Sequence, residues 1–193
     1  FDLLGNDSTN FKTGIFASVN KDGNTNWFNH YKETFDFTIT SVSYMENFIF
    51  SGYMDNLTSD DIFMLCVDEL GEVIDLKSFS FSGDDYVHDI LIEESIILVG
   101  STTSIEIEVM GQRALIIELD NDFEVINTYV DKSSSISTYT NIDKLDEIYI
   151  SGSINKHERQ EFSNSQGLIG TYDGEFNQIN TDLNIVAGIS NNS

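Results

Sequence analysis

The sequence predicts an all-β chain, a β-propeller of four-stranded antiparallel blades, and three observations predict it. The first is a recurring phrase of apolar residues closed by glycine: DLLG ending at Gly5, FIFSG at Gly52, IILVG at Gly100 and IYISG at Gly152, spaced 47, 48 and 52 residues apart. The second is an apolar run ending in Asn or Asp and a tight turn, anchored at Asn20, Asp68, Asp120 and Asp173 with spacings of 48, 52 and 53. Copies of about fifty residues mark a propeller or a solenoid. The third is strand-only content. The apolar runs are short, rich in Ile, Val, Phe and Tyr, and broken by turn residues every ~8–12 positions, which selects strands over helices and the propeller over a helical array.

The copy over residues 84–129 shows the elements of one blade in order. A first strand over 86–93 turns at Glu94-Ser95 into a second over 96–101; a third over 114–120 turns at Asn121-Asp122 into a fourth over 124–130. This is an antiparallel meander. The middle strands are continuously apolar (Ile96 to Val99, Leu115 to Ile117, Ile62 to Val67), the pattern of a sheet covered on both faces. The fourth strands alternate more, as an outer edge does. Residues 1–193 read as one domain of about four repeats. Residues 185–189 read as a first-type strand that joins FDLLG at residues 1–5, so the expected ring has four blades closed by pairing of its terminal strands; the alternative is a segment of a larger propeller.

Charge limits the partners. Nine Lys plus Arg against 33 Asp plus Glu give a net charge of -24, which excludes nucleic acid and anionic membrane surfaces, both of which need cationic contacts. Partners are then neutral, cationic or metal-bridged. The 14 Phe and 8 Tyr supply enough apolar area for a core despite that charge. The single cysteine, Cys66, lies in the apolar run IFMLCV and reads as a small core hydrophobe. No apolar run reaches the ~18 residues of a membrane span, and the start at Phe1, without Met or a leader, is read as that of a trimmed, soluble segment.

The turn anchors have a mechanical reading. Asn20, Asp68, Asp120 and Asp173 are expected to bond their side chains to amides further along, with Gly23 supplying a positive φ. The phrases NKDGN and YDGEF lack the spaced acids and distal Glu of an EF-hand. His30, His88 and His157 occupy different slots (fourth strand, first strand, long loop) and do not converge. The acidic pairs Asp60-Asp61, Asp84-Asp85 and Glu93-Glu94 are expected to be solvated loop acids, since neighbours on a strand point to opposite faces. There is no GxSxG, HExxH, Walker loop or GxGxxG, so neither an enzyme nor a cofactor is expected.

The segment over residues 67–104 resembles the bacterial seven-bladed β-propeller repeat of secreted and surface proteins, in Asp68 with Gly71, in Ser82-Gly83-Asp84-Asp85-Tyr86 and in Val99-Gly100. Other copies carry Thr34-Phe35-Asp36-Phe37 and Ser135-Ile136-Ser137-Thr138 in place of the Gly-Asp-Asp-Tyr phrase. The phrase over residues 17–27 is also similar to quinoprotein-type propeller repeats, with Val19 where those carry Asp. The resemblance implies a propeller that is extracellular or on the cell surface and non-catalytic.

Two candidate sites follow. In a meander blade the second-to-third and blade-to-blade connections share one end, so residues 55–60, 102–112 and 155–166 form a loop face where binding is expected. Its anchors are Lys156, His157, Arg159 and Phe162, basic and aromatic side chains in an acidic chain. The second site is a cation position at the channel mouth, from Asp36, Asp84, Asp85 and Asp182 near the starts of first-type strands, where hard oxygens suit Ca2+; the competing reading is solvated acids. The leading function is a recognition or adhesion module of a larger surface protein, binding a protein or glycan. The alternative is a structural spacer or cation-binding propeller, and a hydrolase ranks last.

Overall fold

The structure is a computed structural model that describes residues 13–31, 35–104, 111–131, 136–145, 147–155, 165–172 and 178–184, with side chains described up to residue 153. Within these residues fourteen strands form four antiparallel sheets. The first sheet pairs β1 (Gly14–Val19) with β2 (Thr25–Tyr31). The second is the meander β3 (Asp36–Tyr44), β4 (Phe48–Asp55), β5 (Asp60–Val67) and β6 (Val73–Phe79). The third is β7 (Asp85–Ile92), β8 (Ile96–Thr102), β9 (Arg113–Leu119) and β10 (Val125–Val130). The fourth is β11 (Ile136–Lys144), β12 (Ile148–Asn155), β13 (Ser165–Tyr172) and β14 (Gln178–Asn184). These are propeller blades, and β1 and β2 are the third and fourth strands of theirs. The strands of the copy over 84–129 lie within one residue of their expected bounds.

Side chains alternate along the middle strands, so the second and third sheets each feed two cores. Phe63, Leu65 and Val67 of β5 pack back onto Phe16 of the first sheet, while Ile62 and Met64 pack forward onto the third. Leu115, Ile117 and Leu119 of β9 likewise pack back onto Ile49, Ile62 and Met64, and Ala114 and Ile116 forward onto Tyr139, Ile142 and Ile150. Both faces of β5, β8 and β9 are thus covered, which is why these strands carry apolar residues without alternation. Cys66 is buried as expected, and burial, with a smaller contribution from Asp75, pushes its thiol above its ordinary range. The outer strands β6 and β10 are largely exposed.

A bulge recurs in each first strand. The register of β3 jumps between Ile39 and Ser41, that of β7 between Val87 and Asp89, and that of β11 between Tyr139 and Asn141. Opposite the residues just before these jumps lie Gly52, Gly100 and Gly152. A Cβ on any of the three would sit 1.9, 1.8 or 2.0 Å from the carbonyl oxygen of Thr38, Tyr86 or Thr138. The bulge tilts that carbonyl into the space a side chain would need, so the glycine phrase is the imprint of the bulge.

The first strands also tie one sheet to the next. Thr40 Oγ1 donates to the Val87 carbonyl at 2.7 Å. Asp89, just past the bulge, accepts from Ser41 Oγ at 2.7 Å and from the Ile142 amide at 3.0 Å, so one carboxylate joins β3, β7 and β11.

The turn anchors act as the sequence predicts. Oδ1 of Asn20 accepts the amides of Asp22 and Asn24, that of Asp68 those of Leu70 and Glu72, and that of Asp120 those of Asp122 and Glu124. Gly23 and Gly71 have φ of 83° and 87° in these turns, and Phe123 holds the same position at 63°. Asp173 and the strands assigned to ring closure (residues 1–5 and 185–189) lie outside the described residues.

Asp182 lies within β14, an outer strand, opposite Ile169 of β13, and the first-type strand expected at 185–189 lies outside the described residues. One expectation is corrected. Asp61 and Asp85 are not solvated but buried. Adjacent residues do point to opposite faces, and that sends the second acid of each pair inward, where hydrogen bonds hold it.

Candidate functional site

The loop face is built where the link from β4 to β5 meets the link from β6 to β7. Asp55 Oδ1 accepts the Leu57 amide at 2.8 Å, and Asn56 Oδ1 accepts the amides of Thr58 and Ser59, each at 3.2 Å, and Thr58 Oγ1 at 2.8 Å. Asn56 Nδ2 and Ser59 Oγ donate in turn to Asp61. These bonds hold Leu57 at φ 78°, a left-handed conformation that costs a side-chain-bearing residue roughly 1–2 kcal/mol. The leucine is 80% exposed at the tip. Backbone strain and an exposed apolar side chain thus coincide on a loop with little freedom to collapse.

Beside this tip the second and third sheets share a polar ledge. Tyr86 stacks edge-on against Tyr53 with ring centroids 4.9 Å apart, and its hydroxyl donates to Asp60 Oδ2 at 2.7 Å. Burial, and then the hydrogen bond to Asp60, push the phenol far above its ordinary value, so it remains a donor at every physiological pH. Asp84 Oδ1 accepts the Asp60 amide at 3.2 Å, and the Asp84 amide donates to Thr103 Oγ1 at 2.8 Å. Asp85 lies beneath, accepting from Thr102 Oγ1 at 2.5 Å and from the Phe81 amide at 2.8 Å. Burial still outweighs these bonds and raises its pKa.

The candidate cation ligands lie on several elements. Asp36 starts β3, Asp84 and Asp85 serve the links just named, and Asp182 lies in β14. Among the described residues no group of three or more His, Cys, Asp or Glu is arranged to hold a metal ion. Lys156, His157, Arg159 and Phe162 lie outside the described residues. Sequence reasoning missed Leu57 and Tyr86; the signal for the first was the Asp-Asn-Leu-Thr-Ser phrase, whose two leading Asx residues favour an Asx turn.

The opposite, hairpin end carries its own apolar tips. Tyr44, Met45, Leu70 and Leu145 are exposed there, and Tyr44 Oη donates to Glu69 Oε1 at 3.2 Å.

Comparison with solved structures supports the fold. The chain is similar to the Neurospora crassa Pan2 WD40 domain, with a TM-score of 0.55 at 14% identity over 88% of this chain and 46% of that one. It thus spans about half the length of that domain. A protein of unknown function from Bacteroides caccae aligns with a TM-score of 0.27 at 10% identity, over 89% of this chain and 90% of that one. No protein-family model matches the chain, and no curated protein does. Among the described residues no helix is long and apolar enough to cross a membrane.

Proposed function

We propose that this chain is a non-enzymatic recognition module of a larger secreted or cell-surface protein, binding a protein or glycan through its loop face. The observation that carries this reading is Leu57, strained and exposed on a loop that its own hydrogen bonds lock. A rigid apolar tip beside a Tyr-Asp ledge can bind without first losing conformational freedom, and that economy separates tight from weak interfaces. The propeller fold and the resemblance to surface-protein repeats support the same reading. With a net charge of -24, the complementary surface is neutral or basic.

A second reading places the contact on the hairpin end, where Leu70 and Leu145 stand out from the turns. One experiment separates the two. The chain is applied to a glycan array and to intact cells, beside a Leu57→Ser variant and a Leu70→Ser/Leu145→Ser variant. Loss of binding with Leu57→Ser at unchanged melting temperature supports the loop face. Loss only with the double variant moves the contact to the hairpin end. Absence of binding by the parent chain on both probes removes the recognition reading.

A further inference from the structure

At the hairpin end a row of aromatic rings runs from the core to the surface. It passes from Phe50 to Phe16 with ring centroids 5.1 Å apart, to Trp27 at 6.0 Å, to Phe48 at 5.8 Å and to Tyr44 at 5.1 Å. Phe16 and Phe50 are buried, whereas Tyr44 is 52% exposed, so its ring is held from below and open above. Trp27 Nε1 donates to the Glu69 carbonyl at 2.9 Å and Tyr44 Oη to the Glu69 carboxylate, which bonds the row to the turn between β5 and β6. Leu70, next in that turn, is 76% exposed, and Met45, beside Tyr44, is exposed as well. Tyr, Trp and Met are enriched at protein interfaces, and a ring already fixed by stacking gives up little freedom on binding.

The charges around the ring say what it would receive. Glu46, at the tip of the hairpin between β3 and β4, and Glu69 are both exposed. Both act on the Tyr44 hydroxyl: the hydrogen bond to Glu69, and then the charges of Glu69 and Glu46, raise the phenol above its ordinary value. Among the described residues no Lys, Arg or His lies within ion-pair distance of either carboxylate. The equivalent place on the fourth sheet is built differently. Tyr44, Ile92 and Lys144 each end the first strand of their sheet, opposite Phe48, Ile96 and Ile148. There Lys144 Nζ donates to Glu93 Oε2 at 2.8 Å. Where the fourth sheet meets the third, the chain thus neutralises a hairpin carboxylate with its own cation; at Tyr44 it presents a ring and two carboxylates instead.

We propose that this platform seats an arginine of a protein partner, the guanidinium lying over the Tyr44 ring and paired with Glu46 and Glu69 while a neighbouring apolar side chain of the partner rests on Met45 and Leu70. A guanidinium suits a ring and carboxylates together better than an ammonium does, because it stacks on the ring, is weakly hydrated and donates through a planar fork. The net charge of -24 draws basic segments towards the whole surface, and the ring with its two carboxylates is where one of them is held. This surface lies at the opposite end from Leu57, so it stands whether or not the loop face binds.

The test is fluorescence anisotropy with two labelled peptides, a Gly-Leu-Arg repeat and a Gly-Leu-Lys repeat of equal length and charge. Each is titrated with the parent chain, with Tyr44→Leu, with Glu46→Gln/Glu69→Gln, and with Asp122→Asn/Glu147→Gln, which removes the same charge from exposed positions on other hairpin turns. The parent chain should bind the Arg peptide about two- to fivefold more tightly than the Lys peptide, the advantage of a cation–π contact at an exposed site. Tyr44→Leu should erase that preference, and Glu46→Gln/Glu69→Gln should weaken the Arg peptide several-fold more than the control pair does. Equal affinity of the parent chain for the two peptides overturns the proposal, as does a preference that survives Tyr44→Leu, equal weakening by the two charge pairs, or no binding at all. The comparison of the two peptides uses the parent chain alone, so it decides even where a variant does not fold.

Discussion

Ser41 of β3 donates its hydroxyl to Asp89 of β7 at 2.7 Å, across the seam between two sheets. The other oxygen of the same carboxylate takes the Ile142 amide of β11, so removing Asp89 unties three sheets at once. Asp89→Ala is expected to cost about 2–3 kcal/mol, because bonds to a charged acceptor are lost and the Ile142 amide is left in a half-buried seam. Ser41→Ala, which removes one donor, costs about 1 kcal/mol. Urea unfolding of the two variants and their combination measures the coupling.

Glycine at the bulges admits no side chain. Gly100→Ala forces a Cβ to 1.8 Å from the Tyr86 carbonyl oxygen, a backbone atom that has nowhere to go. The expected loss is about 4 kcal/mol or more, enough to prevent folding. Gly23→Ala is the contrast: nothing lies within 4 Å of the added Cβ and only the positive φ is penalised, by about 1–2 kcal/mol. Soluble yield and melting temperature should separate the two.

Trp27 of β2 leans over Gly71 in the turn of the next sheet, where an added Cβ would come within 2.7 Å of the indole, and its Nε1 donates to the Glu69 carbonyl at 2.9 Å. One sheet further on the sizes are exchanged. Asp75 and Lys77 replace Trp27 and Asn29 on the strand, and Phe123 replaces the glycine of the turn, closing over Met64 and Cys66. Asp75→Trp should therefore destabilise the chain by crowding Phe123, and adding Phe123→Gly should restore much of the loss while relieving the left-handed phenylalanine. Thermal melts of both singles and the double test the exchange.

Two groups titrate out of step with their surroundings. Burial lowers the His88 imidazole below its ordinary value, so the unfolded chain takes up a proton first and stability falls as pH drops below about 6.5. Burial raises the Asp85 carboxyl, so the folded chain holds a proton that the unfolded chain has lost, and its contribution is lost as pH rises above about 4. His88→Gln should flatten the acid limb of a stability curve near pH 6. Asp85→Asn should flatten the limb just above pH 4. Urea midpoints across pH 4–7 measure both.

Which parts of this fold could be read from the residues follows from which backbone events demand a particular side chain. Gly52, Gly100 and Gly152 were legible because no other residue tolerates the carbonyl they face, and Asn20, Asp68 and Asp120 because their turns need a short side-chain acceptor. The bulged residues Thr40, His88 and Thr140 were not, since a bulge asks only for backbone angles. Asp89 left a faint mark: its equivalents Ser41 and Asn141 are also polar. INTDLN was legible as the tail of an outer strand, and β14 continues to Asn184. On the loop face, Leu57 was passed over because exposure and a left-handed φ arise from hydrogen bonds among its neighbours, which hydropathy does not register.

The three cores between the sheets differ in what surrounds them, and that bears on how the chain folds. The third sheet contributes to two of the cores and holds Asp89, whereas the first sheet contributes to one. Each meander is made of neighbouring hairpins, so local pairing comes early and the seams between sheets form afterwards. A nucleus centred on β7 to β9, with growth outward in both directions, is the kinetic consequence: substitutions at Leu98 or Ile117 should slow folding, and those at Phe16 should mainly speed unfolding.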